Sequence, residues 1–222
     1  MHRRILLSWS GGKDSSLSYY ILRKRKNIEI AGLLTTVTAD YQRVSMHGVR
    51  RELLCRQANE MKSTLHEVMI PKQATNDIYE ESMARKIFEL KELEKITEIA
   101  FGDLYLEDIR SYREKSLERL GLKCEFPIWG MNTKNLAEFF IEEGFRAKIC
   151  CVDPKKIGND FCGREFDLDF IAELPKKADP CGENGEFHTF VYGGPIFRND
   201  IDVRVGEIVE RDGFIFADIL PV

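Results

Sequence analysis

The chain has 222 residues, 43% hydrophobic and 32% charged, with 33 Lys and Arg against 37 Asp and Glu for a formal net charge of −4. That apolar share supports a packed core and excludes a disordered chain, and the acidic balance argues against a protein that coats nucleic acid. No apolar run approaches the roughly 18 residues of a membrane-spanning helix, and Met1-His2-Arg3-Arg4 leads only into Ile5-Leu6-Leu7, so the expectation is a cytoplasmic chain of one large domain or two small ones.

In chain order, the apolar run 4–9 reads as a buried strand that breaks at Ser10-Gly11-Gly12, and Leu17, Tyr20 and Ile21 share one face of a helix over 13–25. A second buried strand is predicted at 28–37, then a helix at 48–62 with Val49, Leu53, Ala58 and Met61 along one face. Strand 65–70 stops at Pro71, a long helix covers 76–95, and strand 98–101 ends in Gly102-Asp103. A helix over 107–120 leads to a fifth strand at 123–128. Strands alternating with helices imply parallel pairing through right-handed crossovers, hence an α/β fold with a doubly wound, five-stranded parallel sheet over residues 1–130. Ligands in such sheets sit beyond the carboxyl ends of the strands, where the strand order reverses. If strand 98–101 returns to lie beside the first, the Ser10 loop and Gly102-Asp103 face one crevice.

After Trp129-Gly130 a helix at 133–143 and a strand at 146–152 continue the alternation, and Gly, Pro and charges then interrupt residues 153–180. Segments 187–197, 203–205, 208–210 and 214–219 read as antiparallel strands, with Gly193-Gly194 and Asp212-Gly213 as hairpin turns. Residues 131–222 are thus expected to form a smaller α+β domain over the mouth of the first. The six cysteines form no Cys-x-x-Cys pair, so reduced thiols are expected, with Cys150-Cys151 serving as core residues.

The most informative stretch is Ser8-Trp9-Ser10-Gly11-Gly12-Lys13-Asp14-Ser15, where a buried strand turns into a helix. Two glycines let the backbone approach a polyanion, and the free N–H groups of the helix start point at it with the positive end of the helix dipole. Ser10 and Ser15 add hydroxyls and Lys13 a cation. The spacing is neither that of a Walker loop nor that of a dinucleotide fingerprint. Ser-Gly-Gly-x-Asp-Ser instead resembles the pyrophosphate loop of the N-type ATP pyrophosphatases. In that group a substrate oxygen attacks the α phosphate of ATP and the loop holds the departing pyrophosphate, with magnesium neutralising phosphate charge.

Three further stretches, Ser45-Met46-His47-Gly48, Gly102 to Arg110 and Asp179 to Thr189, make nearly the whole chain resemble the diphthine-ammonia ligase family. The resemblance implies an adenine-nucleotide α-hydrolase-like first domain of the HUP, Rossmann-like type. It also implies an ATP-dependent amide synthesis that consumes ammonia and releases AMP and pyrophosphate. The acceptor is a carboxylate, in the family a modified histidine of a translation elongation factor, and neither membrane nor nucleic acid is expected as a partner. Archaeal and eukaryotic members carry Glu-Gly-Gly-Glu, an aromatic, Glu, Thr. Here Asn184 takes the place of the first Gly and His188 that of the last Glu, which points to a bacterial branch.

The candidate nucleotide ligands are Ser10, Gly11, Gly12, Lys13, Asp14, Ser15, Gly102 and Asp103, the last placed by its strand end in the crevice. Glu183, Glu186 and His188 crowd a Gly-flanked loop in which only Phe187 offers apolar area, a costly arrangement to bury without partners. They join Lys13 and Asp14 as candidate catalytic residues, Glu186 or His188 handling protons as ammonia attacks. His47, Glu183, Asn184, Glu186 and Thr189 are the candidate substrate contacts. Two other functions use the same loop: a tRNA-thiolating enzyme, which would want basic surface and a positioned cysteine pair, and a nucleotide-binding module without turnover.

Overall fold

The computed structural model describes residues 3–44 and 47–222; Ser45 and Met46 of the His47 stretch lie outside the described residues. Strand β1 (Arg3–Ser8) is buried on both faces, as the centre of a parallel sheet requires. It is followed by α1 (Lys13–Arg23), β2 (Ile28–Thr38), the two-residue β3 (Arg43–Val44), α2 (Arg51–Met61), β4 (Leu65–Ile70), α3 (Asn76–Glu94), β5 (Glu98–Ala100), α4 (Glu107–Glu118) and β6 (Lys123–Glu125).

Five strands run parallel in the order β4-β2-β1-β5-β6, the doubly wound sheet that the alternation predicts. The chain first builds outward from β1 through β2 to β4, and α3 then carries it back to the other side of β1, where Leu7 pairs with Ala100. The order therefore reverses between β1 and β5. The unpredicted β3 is antiparallel to β2 at Val37 and Thr38. Because β4 pairs with those same two residues, β3 must occupy the opposite edge of β2, just past the end of β1. The last parallel strand is shorter than the predicted 123–128, because Pro127 lacks the N–H a ladder needs.

The remainder forms α5 (Thr133–Glu142), β7 (Arg146–Val152), α6 (Leu168–Glu173), β8 (Phe187–Gly193), β9 (Val203–Arg211) and β10 (Phe214–Pro221). The strands make an antiparallel sheet in the order β8-β7-β10-β9. Asp212 and Gly213 have φ of 53° and 81° and connect β9 to β10 with Phe214 opposite Arg211, a two-residue hairpin turn of the primed kind. The Gly193-Gly194 hairpin does not form. β8 pairs with β7, and after Gly194 the chain turns again, Phe197 N–H to the Gly194 carbonyl at 3.1 Å, before travelling to the far edge. The separately predicted 203–205 and 208–210 are one strand, interrupted only where Gly206 and Glu207 stand opposite Asp218 as a bulge. Helix α6 was hidden in the interrupted 153–180 stretch; Asp167 caps it by accepting from Phe170 N–H at 2.8 Å.

Residues alternate along β1 between two cores. Ile5 and Leu7 join Trp9, Leu17, Leu53, Phe140, Phe145, Phe187 and Phe190 in one cluster, while Leu6 meets Leu34, Ile87, Leu90, Ile99 and Leu117 in another. The C-terminal strands thus pack into the same core as α1 and α2. No described helix is long and apolar enough to cross a membrane.

Candidate functional site

At the end of β1 the chain turns through Gly11, whose φ of +79° is a conformation that side chains resist. Gly12 precedes α1 and offers it no capping side chain. Its carbonyl accepts from the hydroxyls of Ser15 and Ser16, each at 2.9 Å, and its N–H donates to Ser10 Oγ at 3.2 Å. The loop is closed from outside by β8: Lys13 N–H donates to Thr189 Oγ1 at 3.0 Å and Val191 N–H to the Gly11 carbonyl at 2.9 Å. Thr189, a candidate substrate contact, here serves the phosphate loop itself.

A crevice of about 640 Å³ opens beyond the ends of β1 and β5, within the range that small-molecule ligands occupy. Ser10, Gly12, Lys13, Asp14, Ser15, His47, Gly102, Asp103, Glu183, His188 and Thr189 all line it. The structure thus brings together the two ends of the chain that the motifs singled out. Gly11, Asn184 and Glu186 do not line it. The Glu186 carboxylate is buried and accepts from the N–H groups of Asp179 at 2.9 Å and Asn184 at 3.0 Å and from the Asn184 amide at 3.1 Å. It orders the 179–186 turn by accepting from these donors. Asn184 is likewise engaged: Tyr105 donates to its Oδ1 at 3.2 Å, and Lys156 Nζ donates to its backbone carbonyl at 2.6 Å.

Gly102 is where β5 meets α1. A Cβ there would lie 2.9 Å from the Asp14 carbonyl carbon and 3.1 Å from Ser15 N, so any side chain must push the helix start aside. Gly102→Ala should therefore lower turnover at this site about tenfold or more, since sub-ångström misplacement of a binding loop is expensive; steady-state kinetics of a variant that melts like wild type checks this.

The electrostatics divide the crevice. Lys13 is 2% exposed, and its ammonium holds both Asp14 oxygens, at 2.7 and 2.8 Å. Burial disfavours that charge, but the adjacent Asp14 carboxylate together with Glu183 outweighs it and keeps the ammonium above its ordinary range, while burial pushes the Asp14 carboxyl up in turn. Asp103 is gripped by Arg113 of α4 at 2.5 and 3.1 Å. Glu183 accepts from Leu104 N–H at 2.9 Å, and burial pushes its carboxyl up to about 7. The His188 ring lies against that of His47, centroids 4.5 Å apart and planes inclined by 43°. Burial, with His47 and Lys13 beside it, holds His188 well below the usual imidazole range, so the ring is neutral. The Cys181 thiol, also in the crevice, donates to the Thr133 carbonyl at 3.2 Å and is pushed by burial to about 12. All six cysteines are free.

Several residues of the site escape sequence reasoning. Arg113, Tyr79 and Met83 reach the crevice from helix positions that read as ordinary surface or core. Arg110 does not line the crevice and pairs instead with Glu114 of its own helix at 2.9 Å, one helical turn on. Gln57 of α2 was detectable, being a polar residue inside the apolar stripe Leu53, Leu54, Ala58, Met61. Among the described residues, no three His, Cys, Asp or Glu side chains converge as a metal cage.

Family comparison fits this arrangement. Residues 3–124 match the diphthamide synthase N-terminal domain and residues 132–219 the diphthamide synthase C-terminal domain. Proteins described as diphthine-ammonia ligase from Bos taurus and Homo sapiens are 30% identical over 139 residues, 59% of this chain and 51% of theirs. The Schizosaccharomyces pombe ligase is 28% identical over 147 residues, 63% of this chain and 23% of that protein. The chain thus spans about half the length of its mammalian relatives. With both matched segments meeting at one crevice, the chain belongs to the diphthamide synthase domain family.

Proposed function

We propose that this protein is an ATP-dependent ligase that converts a carboxylate into an amide with ammonia. The single observation that carries the reading is the Ser10–Ser15 loop facing Glu183 and His188 across one crevice at the β1/β5 reversal. Residues 1–130 would hold the nucleotide and residues 131–222 the acceptor and ammonia, with Thr189 lent to the loop. The relatives' printed substrate, diphthine, makes a modified histidine of an elongation factor the first acceptor to try.

The reaction takes two steps. An acceptor carboxylate oxygen attacks the α phosphorus, the bond to the bridging oxygen breaks, and pyrophosphate leaves against the loop N–H groups and Lys13. The ammonia lone pair then attacks the acyl carbon, AMP departs carrying the former carboxylate oxygen, and the proton shed by nitrogen passes to the Glu183 carboxylate. A group that binds protons near neutrality suits that transfer. Magnesium commonly binds through one or two carboxylates together with substrate phosphates; Asp14 is the crevice carboxylate that would join the nucleotide in holding it, and the ion would neutralise phosphate charge.

A thiolating enzyme needs a nucleophilic cysteine. Cys181 is the crevice cysteine, and a thiol held near 12 stays protonated, which disfavours that alternative. The deciding experiment supplies acceptor labelled with heavy oxygen on its carboxylate. Label in AMP is the expected result; ADP and free phosphate as main products would sink the acyl-adenylate route, and no turnover with any carboxylate would leave a binding module.

A further inference from the structure

A core-facing position on α2 normally takes an apolar residue, yet Gln57 is fully buried there between Leu54 and Ala58. A buried amide is tolerated only when its donors and acceptor are matched. Gln57 is matched by three separate segments: Oε1 accepts from the Trp9 indole N–H at 2.9 Å, and Nε2 donates to the carbonyls of Gly11 at 3.0 Å and Val191 at 2.6 Å. An indole N–H needs an acceptor and two carbonyls need donors, so the amide has one possible orientation.

The consequence falls on one peptide plane. In a trans peptide the carbonyl and the following N–H point in opposite directions. The Gly11 carbonyl is held from one side by Gln57 Nε2 and by Val191 N–H at 2.9 Å, so the Gly12 N–H is directed the other way, where it meets Ser10 Oγ of the crevice lining at 3.2 Å. Gly12 lines the crevice and Gly11 does not. With glycines on both sides, the 3.2 Å bond from Gly12 N–H to Ser10 Oγ is the other restraint on turning this bond over, which would bring the carbonyl oxygen toward an incoming phosphate. We infer that Gln57 is a positioning residue for pyrophosphate binding: it locks the Gly11–Gly12 peptide with its N–H toward the crevice and ties that lock to β8. This rests on the proposed role of the loop, and nothing in the loop motif itself requires a glutamine 47 residues after Ser10.

The test is calorimetric titration of the full chain with inorganic pyrophosphate and, separately, ATP. Gln57→Met keeps the length and removes both donors; Gln57→Glu keeps the volume and the Trp9 contact while turning a carboxylate toward two carbonyls, and serves where the first variant does not fold. In a variant that melts cooperatively, affinity for pyrophosphate should fall about tenfold or more, as loss of a preorganised donor array does, and the KM for ATP should rise while that for ammonia stays within twofold. A merely structural glutamine would lower the melting temperature and leave those affinities alone. Wild-type affinity for pyrophosphate in a folded variant overturns the assignment. Failure of the wild-type protein to bind pyrophosphate or ATP would instead overturn the ligase reading itself.

Discussion

Lys13→Ala should slow ATP cleavage by about a hundredfold or more. The ammonium is almost fully buried, is paired with Asp14, and lines the crevice in which, on the proposed mechanism, the leaving pyrophosphate would gather charge. A cation fixed in advance at such a place, away from water, does not reorganise as the bond breaks, and removing one such contact costs about 10²-fold or more. The variant also strands Asp14 without its partner, so Lys13→Arg is the companion: it preserves charge but not size, and should recover part of the rate. Quenched-flow measurement of pyrophosphate release checks both. Turnover of Lys13→Ala within a factor of two of wild type would remove the loop from the mechanism.

The second large effect is expected at Glu183. Replacement by Gln preserves a carbonyl oxygen for the Leu104 N–H and deletes the proton acceptor, so amide formation should fall about a hundredfold while ATP affinity changes little. Acting as a base, the carboxylate must be ionised, so the wild-type rate, corrected for the neutral fraction of ammonia, should rise with pH and level off above about 7. The variant should lose that inflection. Stability should move the opposite way. A carboxyl raised from 4.5 to about 7 on folding binds its proton more tightly when folded, so its ionisation weakens the fold as pH climbs through that interval. Glu183→Gln should then melt above wild type at pH 8 and alike at pH 4. An unchanged pH profile in the variant would move the proton acceptor elsewhere in the crevice.

The elements that sequence reasoning found are those whose burial has a period. β1 and β2 are largely apolar runs between breakers, β4 stops at Pro71, and the helices repeat every three to four residues, so the five parallel strands followed from alternation, while the crevice depended on the return of β5 beside β1. The place of the Ser10–Ser15 loop at the crevice was legible because it follows a buried strand and opens a helix, the position at which α/β sheets present a loop to their ligand crevice. The 179–189 stretch was legible as a site but not residue by residue. Which carboxylate faces a ligand depends on side-chain direction within a turn, and no local pattern separates Glu183, which lines the crevice, from Glu186, which binds backbone N–H groups. The Gly193-Gly194 reading failed for a related reason: a dipeptide that permits reversal does not say which strand comes next. Gln57 escaped because a stripe was read for its apolar members, when the polar exception carried the information.

The bond from Lys13 to Thr189 joins groups 176 residues apart in the chain. During synthesis, β1 and α1 leave the ribosome long before the strand that completes their loop. For most of translation the nascent chain carries a phosphate loop whose Gly11 carbonyl and Lys13 N–H lack their β8 partners. Contacts of such long sequence separation also form late in folding, because the intervening chain must be ordered first. The contacts that close the loop are thus made by the same step that delivers His188 and Glu183 to the crevice, so the two halves of the site become complete together.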